Sequence, residues 1–209
     1  MRSRSMRGIM TLAATLMAAG ALSAAAKMNV GALQSPNPDA DDEVFLHIVS
    51  QKFPQKQESV SAIFHELENP VDQYTMLAFI AGRGNTDIKT VHDFKKKDHG
   101  WFEAMKHFGV TPGMLFHDVP TSPVKPYSGA YGSWRKNGDK IGQEALNAKD
   151  IVYWAGLQSI AAYSGKSVGD VVLMANNGET LPAIAGRLYR AKTGKGTKGT
   201  EPAPAKKKG

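Results

Sequence analysis

From residue 43 onward the chain alternates short apolar runs at helical spacing with turn-forming residues. Val44, Phe45, Ile48 and Val49 recur three or four apart behind Asp41 and Asp42, and Val60, Ile63, Phe64 and Leu67 repeat the pattern behind Ser59. This spacing predicts two short helices separated near Pro54, a helical hairpin over residues 43–69. Asn69-Pro70 then closes the hairpin and opens the next helix, since proline suits a first helical turn.

The apolar positions of residues 71–108 coincide with those of residues 151–188 at a constant offset of eighty. Val71 matches Ile151, Tyr74 matches Trp154, Leu77 matches Leu157 and Ile80 matches Ile160. After a turn Ile88 matches Val168 and Val91 matches Val171. After a second turn Trp101 matches Leu181, Ala104 matches Ile184 and Phe108 matches Leu188. Asn85 falls opposite Gly165, where a left-handed residue ends a helix. Asp87 falls opposite Ser167, each placed to cap the next helix, and Ser167 has Asp170 at capping-box spacing. Asn147 with Asp150 marks the start of the second long helix in the same way. The expectation is an all-α fold of two divergent three-helix units, residues 70–110 and 148–190, with apolar stripes facing inward.

Between the units, residues 111–147 hold Pro112, Pro120, Pro123 and Pro126 among aromatics and glycines. They read as an irregular aromatic crossover, with residues 115–119 extended against the core. The helical domain is therefore expected over 43–190. An extended leader over 27–42, rich in Pro, Asn and Asp, precedes it.

The two ends differ in kind from the middle. Arg2, Arg4 and Arg7, an apolar run over 8–22 and the small residues Ser23, Ala24, Ala25 and Ala26 have the three parts of a Sec-type signal peptide over 1–26. Periplasmic or secreted localisation follows, as a protein not integral to the membrane. Residues 191–209 contain Gly, Thr, Pro, Ala and Lys with few apolar residues, the composition of a disordered basic tail.

The formal net charge of +7 changes meaning once it is divided along the chain. Three arginines lie in the first 26 residues, and seven cations against one acid lie from Arg190 onward. Residues 27–189 hold 16 basic and 18 acidic side chains. A near-neutral body argues against a nucleic-acid partner, and the segment after Thr180 offers Pro182, Ala183, Ala185 and Gly186 where a reading helix would show polar side chains. With no cysteine in the chain, disulfides and thiolate chemistry are excluded.

The three stretches 77–110, 115–134 and 150–190 resemble a family of exported bacterial helical proteins with no known activity. Gly100-Trp101, Leu115-Phe116-His117-Asp118-Val119-Pro120 and Pro126-Tyr127-Ser128-Gly129-Ala130-Tyr131-Gly132-Ser133-Trp134 carry the likeness. The chain departs from that family where Lys125-Pro126-Tyr127-Ser128 stands in place of a Gly-Pro-Pro-Tyr-Gly-like run. The resemblance implies export and helical architecture and no chemistry.

Motifs for catalysis are missing: there is no Gly-x-Ser-x-Gly, no phosphate loop, and no second histidine after His65-Glu66 at zincin spacing. His92, His99 and His107 lack metal-site spacing and read as solvated. No catalytic residue, metal ligand or cofactor is assigned. The one constellation suited to a ligand is Tyr127, Tyr131, Trp134 and Arg135, where aromatics, a cation and glycines share a segment that could grip a sugar or peptide. The same rings could instead pin the crossover to the core. The expected role is a non-catalytic binding or interaction protein of the cell envelope, its partner an envelope protein or a cell-wall polymer. The rival is a cofactor-free envelope enzyme.

Overall fold

The computed structural model describes residues 30–116, 119, 128–142 and 144–195. The expected signal peptide, the start of the leader, Tyr127, His117 and the tail beyond Lys195 lie outside the described residues. Among the described residues nine α-helices follow in order: α1 Asp41–Lys52, α2 Gln57–Phe64, α3 Pro70–Arg83, α4 Ile88–Lys95, α5 Trp101–His107, α6 Ser128–Asn137, α7 Ala148–Ser164, α8 Val168–Asn176 and α9 Leu181–Thr193. Short 3-10 turns occupy Val30–Leu33, Pro112–Met114 and Gly138–Lys140, and no strand occurs among the described residues. The fold is all-α.

Local chemistry places the helix ends. Asn69 accepts from the Asp72 amide with Pro70 in the first turn, Asp87 caps α4 through the Lys89 amide, and Thr180 caps α9 through the Ala183 amide. Asn147 with Asp150, and Ser167 with Asp170, form reciprocal capping boxes at α7 and α8. Asn85 and Gly165 both adopt positive φ, 48° and 69°, just past α3 and α7.

Helices α4 and α8, and likewise α5 and α9, start eighty residues apart. The likeness stops at packing: α9 is a long helix lying along α1 and α7, whereas α5 is a single short segment against α3 and α4.

The centre of the molecule is a triangle of α1, α3 and α7, each touching the other two, with α9 closing over α1 and α7. The amino-terminal residues Phe45, Val71 and Val152 gather at one end. At the other end gather Phe53 and Arg83, with Ala161 beside Arg83. The three helices therefore run in the same direction. An inward stripe is too narrow a description of α1 and α7. Residues 44–49 are all buried, as are residues 153–161, because a helix surrounded by neighbours has no solvent side.

Three boundaries differ from the sequence reading. The leader is not extended to residue 42: it holds a 3-10 turn, Leu33 accepts from Ser50 and pairs with the His47 ring at 2.8 Å, and α1 begins at Asp41 because acids favour a first turn. The crossover is not wholly irregular, since residues 128–137 form α6 and residue 115 sits in a turn after a 3-10 segment rather than in a strand. Helix α9 also continues to Thr193, three residues into the expected tail, before Gly194 ends it at φ 67°.

Candidate functional site

Helix α6 presents Tyr131, Trp134 and Arg135 at positions i, i+3 and i+4, one face of a helix. That face turns inward. Tyr131 is only 4% exposed, with ring centroids 5.6 Å from Phe116, 5.9 Å from Trp134 and 6.2 Å from Trp154. Half-buried Trp134 donates from its indole to Asp139 at 2.9 Å, and Asp139 also accepts from the Gly113 amide at 2.6 Å. Burial alone would raise the Asp139 carboxyl, but bonds from Trp134, Thr111 and Gly113 hold it below the usual range. Arg135 is exposed, its guanidinium 6.0 Å from the Tyr131 ring. The Tyr131 ring is thus buried among Phe116, Trp134 and Trp154, while Trp134 and Arg135 are the more accessible members of the group. These rings tie the crossover to α7.

The open, charged feature lies where α1, α3 and α7 end. Two adjoining clefts of about 590 and 630 Å³ share Lys52 and Arg83. Lys56 and Asp87 line the first, and Gln158, Lys166 and Ser167 line the second. The sequence puts these cations there for a local reason: Lys52 and Arg83 occupy the last turns of α1 and α3, where the helix dipole favours positive charge. Lys166 follows the left-handed Gly165 in the turn between α7 and α8.

Arg83 is held in place before any ligand arrives. Its Nη2 donates to Gln158 Oε1 at 2.9 Å, while Gln158 Nε2 donates to the Met114 and Leu115 carbonyls at 2.9 and 2.8 Å. The guanidinium carbon stands 5.7 Å from the Phe53 ring, a cation–π contact, and its Nε is buried without a hydrogen-bond partner.

Lys52 and Lys56 form no ion pair among the described residues. The one acid of the lining, Asp87, is already engaged by the Ser59 hydroxyl at 2.6 Å and the Lys89 amide at 2.9 Å. Ser167 in turn donates to Asp170 at 2.7 Å. Lys52, Lys56 and Lys166 are exposed and Arg83 is half-buried, and two acids stand near them: Asp87 in the lining and Asp170, which is bonded to Ser167 and feels the charge of Lys166. Such a surface attracts anions; its lining offers no histidine, and its hydroxyl bonded to a carboxylate, Ser167 with Asp170, forms the capping box of α8.

The histidines do other things. His92 is buried, with Nε2 3.9 Å from Glu66 and Nδ1 4.0 Å from Asp93. His99 and His107 both stack on the Phe94 ring, with centroids 4.0 and 4.3 Å away. Among the described residues no group of three or more His, Asp or Glu converges to hold an ion.

At the amino-terminal end of the same three helices a third cleft of about 630 Å³ is lined by Asp42, Asp72 and Glu179 with Phe45, Val152 and Tyr153. Glu179 is engaged by Arg187 at 3.0 and 3.1 Å. Burial, then the charges of Asp41 and Asp72, push the Asp42 carboxyl up. This end thus sets three acids against Lys149 while the other end carries an excess of cations, the arrangement that opposes three aligned helix dipoles.

Arg83, Lys52, Lys56 and Lys166 carry no motif that sequence reading could seize. The available signal was Gln158, a long amide in the otherwise apolar centre of α7, which had to find partners if buried. No protein-family model matches this chain, and no curated protein or solved structure matches it either.

Proposed function

We propose that this is an exported, non-catalytic binding protein of the bacterial cell envelope that holds an anionic stretch of a cell-wall polymer in the cationic cleft. Three lysines placed around an Arg83 held by Gln158, with Asp87 the one acid of the lining, are the observation that carries the reading. Export is supported by the basic, apolar and small-residue segments of 1–26. No helix among the described residues is long and apolar enough to cross a membrane. The aromatic face of α6 packs the crossover against α7 and lines neither half of the cleft.

The rival, a cofactor-free envelope enzyme, needs an acid–base pair or a nucleophile in a cleft, and the hydroxyl–carboxylate pair at the cationic lining, Ser167 with Asp170, is engaged in capping α8. The test is co-sedimentation of the mature protein with cell-wall sacculi, intact or chemically stripped of their acidic polymers. Intact sacculi should pull the protein down and stripped sacculi should not. Lys52→Glu should weaken capture roughly tenfold or more, since reversing one charge beside an anion costs at least about 1.4 kcal/mol at protein-surface dielectric. Equal capture by both preparations, or undiminished capture of the Lys52→Glu protein, would reject the reading.

A further inference from the structure

We infer that the cationic cleft engages two oxyanionic groups of one linear ligand at once, so that its ligand class is a polyanionic chain, for which polyphosphate is a probe, and not a single anion. The inference rests on the cleft being the binding site proposed above. Its basis is the layout of the charges. Lys52 and Arg83 line both halves of the trough, Lys56 belongs to one half alone and Lys166 to the other. A chain lying across Arg83 would meet a lysine on either side of it, whereas one small anion can reach only one side.

Three further observations favour an extended ligand. Each half has a volume of about 600 Å³, more than a lone phosphate fills and of the size that ordinarily holds a larger ligand. Arg83 is fixed through Gln158 to the Met114 and Leu115 carbonyls, so the central cation loses little freedom on binding. Asp87 on the Lys56 side and Asp170 beside Lys166 each offset one of the four cations, so the trough as a whole keeps an excess of two positive charges. Linking two weak contacts through one chain multiplies affinity by effective concentration, and the displaced counterions make that affinity fall steeply with salt.

The experiment titrates the mature full-length protein with orthophosphate and with medium-length linear polyphosphate by calorimetry at low salt. The Lys52→Glu, Lys56→Glu and Lys166→Glu proteins are compared under the same conditions. All three lysines are exposed, and a urea midpoint for each variant verifies folding. Lysine-to-glutamine versions replace any variant whose midpoint moves. Polyphosphate should bind about a hundredfold or more tighter than orthophosphate. Each flank variant should lose roughly tenfold toward polyphosphate, Lys52→Glu at least as much, and the affinity gap between the two ligands should shrink in both flank variants. If only one flank matters, the two-group inference falls and the cleft reading stands. If none of the three substitutions matters, polyphosphate is binding the basic tail, which all variants share, and both readings fall.

Discussion

Arg83 on α3 and Gln158 on α7, seventy-five residues apart, are joined by a hydrogen bond of 2.9 Å from Nη2 to Oε1. The amide that accepts this bond donates both of its own hydrogens to consecutive crossover carbonyls, Met114 and Leu115. One side chain thereby couples the first three-helix set, the second set and the segment between them, and it does so at the wall of the cationic cleft. The local consequence is that Arg83 is oriented by the fold and not by a ligand.

Gln158→Leu tests that coupling. Leucine is close in size, but it leaves two buried carbonyls without a donor and Arg83 Nη2 without an acceptor. Each such loss typically costs about 1–3 kcal/mol, so the urea midpoint should fall by an amount equivalent to roughly 2–4 kcal/mol. Gln158→Glu should also destabilise, since a carboxylate can accept from Arg83 but cannot donate to either carbonyl. A midpoint within about 0.5 kcal/mol of the parent for the leucine variant would mean that the three-way junction contributes no stability.

The crossover provides a second prediction. Removing the Tyr131 ring opens a void among Phe116, Trp134 and Trp154, and truncations of buried aromatics cost about 3–5 kcal/mol. Tyr131→Ala should therefore lose about that much stability while anion affinity, measured well below the unfolding temperature, stays near that of the parent. A variant of normal stability and lost affinity would return Tyr131 to the binding surface.

How much of this was legible in the sequence depends on whether the cause is local. Asn147 with Asp150, Ser167 with Asp170, and Asn85 opposite Gly165 act within four residues, and each sits in the structure where its side chain or backbone chemistry requires. Helix α6 was hidden because Gly129, Gly132 and the nearby Pro126 depress helix propensity. Its stability comes from Tyr131 and Trp134 packing on Phe116 and Trp154, partners that lie outside the segment. The cationic cleft was hidden for a stronger reason. Lys52, Arg83 and Lys166 become neighbours only because three central helices run the same way and end together, an orientation that no periodicity encodes.

His92 gives the chain a predictable response to acid. Burial lowers its imidazole pKa and outweighs the opposing charges of Glu66 and Asp93, with Lys96 and Lys89 adding to the lowering. A base with a folded pKa below the unfolded value of about 6.5 takes up its proton more readily when unfolded. Its contribution to stability is then complete above pH 6.5 and is lost as pH falls through the folded pKa. The free energy of unfolding should decline on the acid side of neutrality, and His92→Gln should flatten that decline. Measuring both proteins by urea denaturation from about pH 7.5 to pH 5 isolates the residue, because the other histidines are common to both. Parallel curves would show that His92 titrates alike in the folded and unfolded chains.

Gly156 of α7 marks a close approach within the central bundle. A methyl group placed on Gly156 of α7 would lie 2.8 Å from Leu181 Cδ1 and 2.9 Å from the Phe45 ring. Alanine is favoured over glycine inside a helix by about 1 kcal/mol, so propensity and packing pull in opposite directions. Leu181 is partly exposed and can move its methyl aside, but Phe45 is 1% exposed and is held by the helices around it. Overpacking a site that cannot yield costs about 1–3 kcal/mol, so Gly156→Ala should be destabilising on balance. Adding Phe45→Leu should recover part of the loss, because the shorter side chain vacates the space the new methyl needs. The pair should therefore show a favourable coupling in a double-mutant cycle. A Gly156→Ala protein as stable as the parent would mean that α1 can shift away from α7 at little cost, and the rigid central triangle that brings the cationic helix ends together would lose its support.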